Sequence, residues 1–129
     1  MGIKVLFLYP NTFGMNMLPP AIALFSAILK ERGHRVDLFD ATYYQTDHGI
    51  DSDGTKAGRI NVVPFSANEK GIKMLSTDWR TDIRKKIDSF EPELIALSTT
   101  EDMWLLGVRM LEEIEDSINR DKIPVIAGG

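Results

Sequence analysis

The sequence contains no cysteine, and it has only two histidines, His34 and His48. Without cysteine there is no disulfide framework, no thiolate metal site and no ligand of the chain's own for an iron–sulfur cluster. His48 has acidic neighbours, but no second histidine or cysteine near it indicates a metal site. The residue types therefore favour neither a disulfide-stabilised scaffold nor a metal centre built by this chain.

Basic charge and long apolar runs are also scarce. Lysine and arginine number 15 against 19 acidic residues, and the net charge is -4. Phosphate contacts need a basic stripe, so we expect no nucleic-acid partner. The longest apolar stretch, residues 18–29, is too short to span a bilayer and contains two prolines. We therefore expect a cytoplasmic protein that does not bind a membrane.

Glycine-rich phosphate loops are missing as well. The segment from Pro10 to Pro20 contains a single glycine, Gly14, which satisfies neither G-x-G-x-x-G nor the P-loop pattern. No G-x-S-x-G elbow is present, and no acidic pair follows the first apolar run. These absences argue against a dinucleotide enzyme, a P-loop protein, an α/β-hydrolase and a phosphoacceptor domain.

Apolar runs predict four strands. Residues 3–9, 94–97 and 123–127 are almost continuously apolar, as expected of strands buried on both faces, whereas residues 36–39 alternate and suggest an edge strand. Apolar residues recur at the spacing of a helix in three segments, from Pro20 to Gly33, from about Asp78 onward, and from Trp104 to Ile118. The pattern predicts an α/β fold, a three-layer Rossmann-like or flavodoxin-like parallel sheet in the order 2-1-3-4.

Two segments depart from this regular pattern. Residues 43–76 are polar and turn-rich, so they form either a functional excursion or a mobile insertion. Residues 123–127 would leave a bare apolar edge, and we expect the single domain of residues 1–129 to be truncated before a fifth strand of a longer chain. An exposed fourth strand of this kind also predicts a homodimer.

Ligands of such sheets bind beyond the carboxyl ends of the strands. In the first loop, Asn11, Phe13, Met15 and Met17 suit a flat, largely apolar ligand, or they pack over the sheet end. Asp40 can hold a ribose hydroxyl, but a turn role is favoured. Tyr43 and Tyr44 either line a site or cover the sheet edge.

The other two strand ends offer hydroxyls and glycines. Ser98, Thr99 and Thr100 can cap the following helix or bond a neutral heterocycle, while Glu101 and Asp102 disfavour an anion there. The Gly128-Gly129 pair is either an ordinary turn or a place where a ligand approaches the backbone closely.

Together, "KVLFLYPN", "PPAIALFSAILKERGHRVDLFD", "EPELIALSTTEDMW" and "IPVIAGG" resemble the N-terminal cobalamin-binding domain of radical S-adenosylmethionine enzymes. The wider cobalamin-binding family carries D-x-H-x-x-G, then S-x-L, then G-G. Ser98 matches the serine, and Gly128 and Gly129 match the glycine pair. The sequence departs from the first motif, with Asn11, Phe13 and Asn16 in place of aspartate, histidine and glycine, and Thr100 replaces the leucine of S-x-L.

The resemblance implies a cobalamin-binding site formed by Pro10, Asn11, Phe13, Met17, Ser98, Thr99, Thr100, Trp104, Gly128 and Gly129. It implies that the nucleotide tail lies between the Ser98 loop and the glycine pair. With Phe13 in the histidine position, the first loop supplies no imidazole below cobalt, an arrangement that favours transfer of a methyl group from cobalt.

The implied function is a cobalamin-binding module that is not catalytic alone. Its partner would be a downstream radical S-adenosylmethionine domain that binds S-adenosylmethionine and a [4Fe-4S] cluster through C-x-x-x-C-x-x-C, a motif absent from this sequence. The implied reaction is methyl transfer, rearrangement or porphyrin-ring cyclisation. Two alternatives remain, the N-terminal domain of a GT-B type glycosyltransferase and a cobalamin-free docking domain.

Overall fold

Four parallel strands form one sheet in the order β2-β1-β3-β4. The computed structural model describes residues 1–13, 19–46 and 68–129. Strands and helices alternate along these segments, so the predicted α/β Rossmann-like fold and its strand order are confirmed. The elements are β1 (Lys4–Tyr9), α1 (Pro20–Glu31), β2 (Arg35–Asp40), α2 (Trp79–Phe90), β3 (Leu94–Ser98), α3 (Trp104–Glu113), α4 (Glu115–Asp121) and β4 (Val125–Gly128).

Local sequence signals set the helix ends. Pro20 occupies the first position of α1, where its missing N–H costs nothing, and Gly33 takes a left-handed φ of 83° just past the end. Asp78 caps α2, because its carboxylate accepts the main-chain N–H of Thr81 at 3.1 Å. Both helix starts agree with the sequence prediction.

Two apolar clusters hold helices on the two faces of the sheet. Helices α2 and α3 cover one face, where Leu6, Ile83 and Met110 are completely buried. Helix α1 covers part of the other face, with Ile22 against Phe7 and its neighbours. Three layers result, as predicted. The face that carries α1 is the less completely covered one, and this asymmetry shapes the candidate site.

The helical segment after β3 differs from its prediction. A single helix was expected, with one face formed by Trp104, Val108, Leu111, Ile114 and Ile118. A break at Ile114 separates α3 from α4, and of these residues Ile114 is buried while Leu111 and Ile118 are partly buried against the same cluster. The buried side chains of this segment are Met103, Leu106, Met110 and Ile114, and Trp104 is exposed. A short 3-10 turn over Glu101–Met103 buries Met103 first and thereby rotates Trp104 out toward solvent.

The last strand also differs from its prediction. It was expected over residues 123–127 as a buried type of strand that leaves a bare apolar edge. Strand β4 spans Val125–Gly128, and all four of its residues are exposed, which agrees with the bare edge and not with burial. Ile123 is buried, and it precedes the strand. The physical reason is position, because β4 is the last strand of the sheet and α1 lies over the β1–β2 side. The prediction of an edge strand at β2 is confirmed.

The ends of the long segment between β2 and α2 lie close together. The Leu75 N–H donates to the Tyr43 carbonyl at 2.8 Å, and the Tyr44 hydroxyl donates to Asp82 on α2 at 2.9 Å. Tyr44 also stacks on Phe39, with ring centroids 5.6 Å apart. Tyr44 therefore covers the β2 edge, one of its two predicted roles. Residues 47–67, with His48, lie outside the described residues.

Candidate functional site

The carboxyl ends of the four strands lie along one edge of the sheet. The strands end at Tyr9, Asp40, Ser98 and Gly128, so the four segments singled out in the sequence meet there. Asp40 forms the expected turn, since its carboxylate accepts the N–H of Thr42 at 2.9 Å.

The loop after β1 is tied to the loop after β2. Asn11 is buried, and its side-chain amide donates to the Thr42 hydroxyl at 2.9 Å. Pro10 is also buried, packed toward α3 beside Gly107. Both side chains hold the loop in place, and their contact with a ligand stays a prediction.

Phe13 lies on the β2 side of this loop. Its ring centroid is 6.2 Å from that of Tyr43, with the two planes tilted by 41°. Phe13 is half-buried and Tyr43 is exposed, so the pair presents aromatic surface at the sheet end. Met15 and Met17, predicted to join them, lie outside the described residues.

The loops after β3 and β4 are in direct contact. The Thr99 N–H donates to the Gly128 carbonyl at 2.9 Å, and the Thr99 hydroxyl donates to the Thr100 carbonyl at 3.0 Å. A side chain at position 129 would overlap the Thr99 carbonyl. Gly129 is therefore required by packing between two loops, and Thr99 has an internal role.

An apolar groove of about 400 Å³ runs from this edge along the face of the sheet beside α1. Its floor is one row of side chains across three strands, because Phe7, Ala96 and Ile126 are register partners. We call it the α1-side groove, lined by Phe7, Ala21, Ile22, Phe25, Ala96, Leu97, Ser98, Ile126, Ala127, Gly128 and Gly129. Small residues at Ala96, Ser98 and Gly128 make the hollow.

Gly128 differs from Gly129 in its surroundings. No described atom lies within 4 Å of the place that a Cβ at position 128 would take. Nothing in the described protein therefore requires glycine there, whereas a ligand in the groove would approach its backbone closely. Of the two glycines, only Gly128 leaves space for a ligand.

A second groove of about 390 Å³ lies on the other side of the β4 end. We call it the α3-side groove, and it is lined by Thr99, Thr100, Glu101, Trp104, Ala127, Gly128 and Gly129. Trp104 is 49% exposed at its wall, so a large flat ring is available to a ligand. The two grooves share residues 127–129.

A larger hollow of about 570 Å³ lies at the opposite end of the sheet, and it does not have the character of an organic ligand site. Charged side chains of both signs line it, among them Asp88, Glu91, Arg120 and Lys122. Such a wall is solvated, whereas organic ligands favour largely apolar concave sites. We place the candidate site at the carboxyl edge.

Sequence reasoning identified the rim of the site and missed its floor. Phe7, Phe25 and Ile126 were assigned to the core or to a helix face, and they line the α1-side groove. The available signal was the alternation of small side chains, because Ala96 and Ser98 share one face of β3, beside Ile126 and Gly128 of β4.

Comparisons with known proteins support the fold at low sequence identity. No family model and no curated protein matches the chain. A structure of the radical S-adenosylmethionine methyltransferase TsrM from Kitasatospora setae, with a tryptophan substrate and an S-adenosylmethionine analogue bound, matches 99% of this chain with a TM-score of 0.62 and 17% identity. A TsrM structure with cobalamin and a [4Fe-4S] cluster bound matches 100% of it with a TM-score of 0.60 and 16% identity.

The chain spans only about a fifth of that enzyme, 19% and 18% in the two structures. The likeness therefore extends to the α/β fold and not to a whole enzyme. Within the described residues, no helix is long and apolar enough to cross a membrane, and no group of three or more His, Cys, Asp or Glu could hold a metal ion. The cytoplasmic location stays a prediction.

Proposed function

We propose that this chain is a cobalamin-binding module of a radical S-adenosylmethionine enzyme. The observation that carries the proposal is the α1-side groove, an apolar hollow that opens at the carboxyl edge between Ser98 and Gly128. The fold likeness to TsrM, one structure of which holds cobalamin, supports it.

The chemistry of the groove fits the nucleotide tail of cobalamin. The tail ends in a flat, mostly apolar base, and the groove offers Phe7, Phe25 and Ile126 as apolar surface. The Ser98 side chain at the rim supplies a hydroxyl for a ring nitrogen. Gly128 lets the tail lie against the main chain.

The corrin ring would lie above the strand ends. Phe13 and Tyr43 offer aromatic surface on the β2 side, and Trp104 does so on the other side. When bound, cobalamin would supply a cobalt centre that carries a methyl group. The residues of this chain would bind and orient it, and none of them is proposed as a catalytic acid or base.

The remaining chemistry would come from a separate radical S-adenosylmethionine domain. The chain has no cysteine, so the ligands of a [4Fe-4S] cluster must belong to that domain, together with the S-adenosylmethionine site. We propose methyl transfer as the reaction class, because the structures that resemble this chain are of a methyltransferase.

The glycosyltransferase alternative is not favoured. A sugar nucleotide carries two phosphates, and Glu101 and Asp102 stand at the carboxyl edge after β3. Acidic side chains at that position disfavour an anion. A cobalamin-free docking domain would keep the fold but have no affinity for cobalamin, and binding measurements detect that difference.

Titration of the chain with hydroxocobalamin, followed by visible absorption, tests the proposal. We expect saturable binding that is lost in Gly128→Leu, because a Cβ at position 128 would meet no described atom within 4 Å and the added side chain would occupy the space of the ligand. Ala27→Leu adds similar bulk at an exposed position of α1 and should bind as the wild type does.

Equal affinity in Gly128→Leu and the wild type would place the ligand elsewhere. Saturable binding of a uridine diphosphate sugar, with no cobalamin binding, would favour the glycosyltransferase alternative. Circular dichroism of each variant separates a lost site from a lost fold.

A further inference from the structure

The turn after β2 carries two neighbouring tyrosines with different contacts. Tyr43 is exposed, and its ring centroid lies 6.2 Å from that of Phe13 at the sheet end. Tyr44 is half-buried, and its ring stacks on Phe39 of β2 with the centroids 5.6 Å apart. Tyr43 therefore belongs to the aromatic surface of the candidate site, whereas Tyr44 belongs to the packing between β2 and α2.

A single carboxylate on α2 accepts two hydrogen bonds from residues at this turn and before α2. The Tyr44 hydroxyl donates to Asp82 Oδ2 at 2.9 Å, and the Thr77 hydroxyl donates to the same oxygen at 2.6 Å. These bonds, first from Thr77 and then from Tyr44, hold the pKa of Asp82 below its ordinary value. The carboxylate is therefore charged at neutral pH, and hydrogen bonds to a charged acceptor are stronger than neutral ones.

Two connections lead from Asp82 to Tyr43. The first is direct, because Asp82 binds the side chain of Tyr44, the next residue in the chain. The second passes through Thr77, since Leu75 lies two residues before it and donates its N–H to the Tyr43 carbonyl at 2.8 Å. Asp82 therefore restrains the main chain of Tyr43 by two connections.

The start of the same turn is fixed by the sheet. Ala41 is completely buried, and its N–H donates to the Tyr9 carbonyl at 3.0 Å. The Tyr44 N–H then donates to the Ala41 carbonyl at 3.0 Å. These main-chain bonds set the path of the turn, and the bonds to Asp82 add the link to α2 that keeps the Tyr43 side of the turn in place.

We propose that Asp82 is a positioning residue of the candidate site, which holds the Tyr43 ring beside Phe13 before a ligand arrives. The role rests on the proposed function, because the ligand is taken to be the flat corrin ring of cobalamin. Asp82 lines neither groove, so it acts through Tyr43. An aromatic pair that is already ordered loses less conformational freedom on binding, and this raises the affinity.

A second carboxylate provides a matched control. Asp37 in the middle of β2 pairs with Lys86 of α2 at 2.8 Å and accepts the N–H of Leu38 at 2.7 Å. Asp37→Ala therefore removes a charged link between β2 and α2, as Asp82→Ala does between the turn and α2. The two variants differ in whether the lost link leads to Tyr43.

Cobalamin titration of these variants tests the role of Asp82. Asp82→Ala should weaken binding about fivefold, and Asp37→Ala should bind as the wild type does. Asp82→Asn keeps an acceptor oxygen and should recover most of the affinity. In a Tyr43→Ala chain, Asp82→Ala should cause no further loss, because its effect passes through the missing ring. Equal losses in Asp82→Ala and Asp37→Ala, or an undiminished further loss in the Tyr43→Ala chain, would overturn the role.

Nuclear magnetic resonance of the cobalamin-free chain separates this role from the proposed function. The wild type and Asp37→Ala should show a nuclear Overhauser effect between the ring protons of Phe13 and Tyr43, and Asp82→Ala should weaken it. If Asp82→Ala does not fold, Tyr44→Phe and Thr77→Val remove the two bonds one at a time, and each should weaken the same signal. An unchanged signal in the folded variants would overturn the positioning role. A chain that shows these changes and retains no cobalamin would keep the positioning role and overturn the proposed function.

Discussion

At the scale of single residues, the two neighbouring glycines after β4 are glycine for different reasons. Gly129 lies against the Thr99 carbonyl, where any side chain would overlap the main chain. Gly128 faces open space beside the α1-side groove. The sequence pattern predicts a glycine pair at a ligand site but cannot separate these roles, because the separation depends on how closely the β3 and β4 loops approach each other.

Trp104 gives a residue-scale prediction. Trp104→Ala should weaken cobalamin binding about tenfold, because a large ring at the wall of the α3-side groove is lost. Leu105→Ala is the control, since Leu105 is 54% exposed one position further on and does not line either groove. Binding titrations of both variants measure the effect. An equal change in the two variants would mean that Trp104 acts through α3 and not through the ligand.

Tyr44 gives a prediction about pH. Burial, together with the hydrogen bond to Asp82, raises the pKa of Tyr44 to about 12. Since the folded-state pKa lies above the ordinary value of about 10, the hydroxyl stabilises the fold fully below about pH 10, and this contribution is lost as pH rises toward 12.

An alkaline titration of the folded chain, monitored by tyrosinate absorption, checks the raised pKa of Tyr44. Tyr44 should ionise with a pKa of about 12, and this step should be missing in Tyr44→Phe. Tyr9, whose pKa is also raised by burial and by Asp40, should keep its own late ionisation in both proteins. A Tyr44→Phe titration that keeps the step assigned to Tyr44 would contradict the assignment.

At the scale of secondary-structure elements, the strands and α1 and α2 follow from local signals. Pro20, Gly33 and Asp78 mark helix ends that the structure confirms. The orientation of α3 cannot be predicted from local signals in the same way. It is set by the burial of Met103 in the preceding 3-10 turn, and Met103 packs against residues that are distant in sequence. The bounds of β4 were predicted two residues early at its start, whereas its bare apolar edge was expected and its four residues are exposed.

Helix α2 gives an element-scale prediction. Ile83 is completely buried between α2 and the sheet, so Ile83→Ala should lower the free energy of unfolding by about 3 kcal/mol. Urea denaturation measures the loss. Because Ile83 does not line either groove, the folded fraction should bind cobalamin as the wild type does. A change in affinity without a change in stability would contradict this division.

At the scale of the whole molecule, the fold places apolar surface and small residues at one edge, and the first loop supplies no imidazole there. Position 13 is Phe13 and not an imidazole, and His34 accepts the Ile3 N–H at the amino end of β1, away from the carboxyl ends of the strands. We therefore expect the electron paramagnetic resonance spectrum of bound cob(II)alamin to lack nitrogen splitting from a protein histidine. A splitting that disappears in His48→Ala would show that residues outside the described part supply the ligand.

The central claim is that the carboxyl edge of this sheet binds cobalamin, and its most direct test is the amount of cobalamin that stays with the protein. The purified chain is mixed with excess hydroxocobalamin, free cofactor is removed by gel filtration, and visible absorption of the protein peak gives the ratio. We predict about one cobalamin for each wild-type chain and almost none for Gly128→Leu. A wild-type peak without cobalamin, or equal retention by the two proteins, would contradict the account.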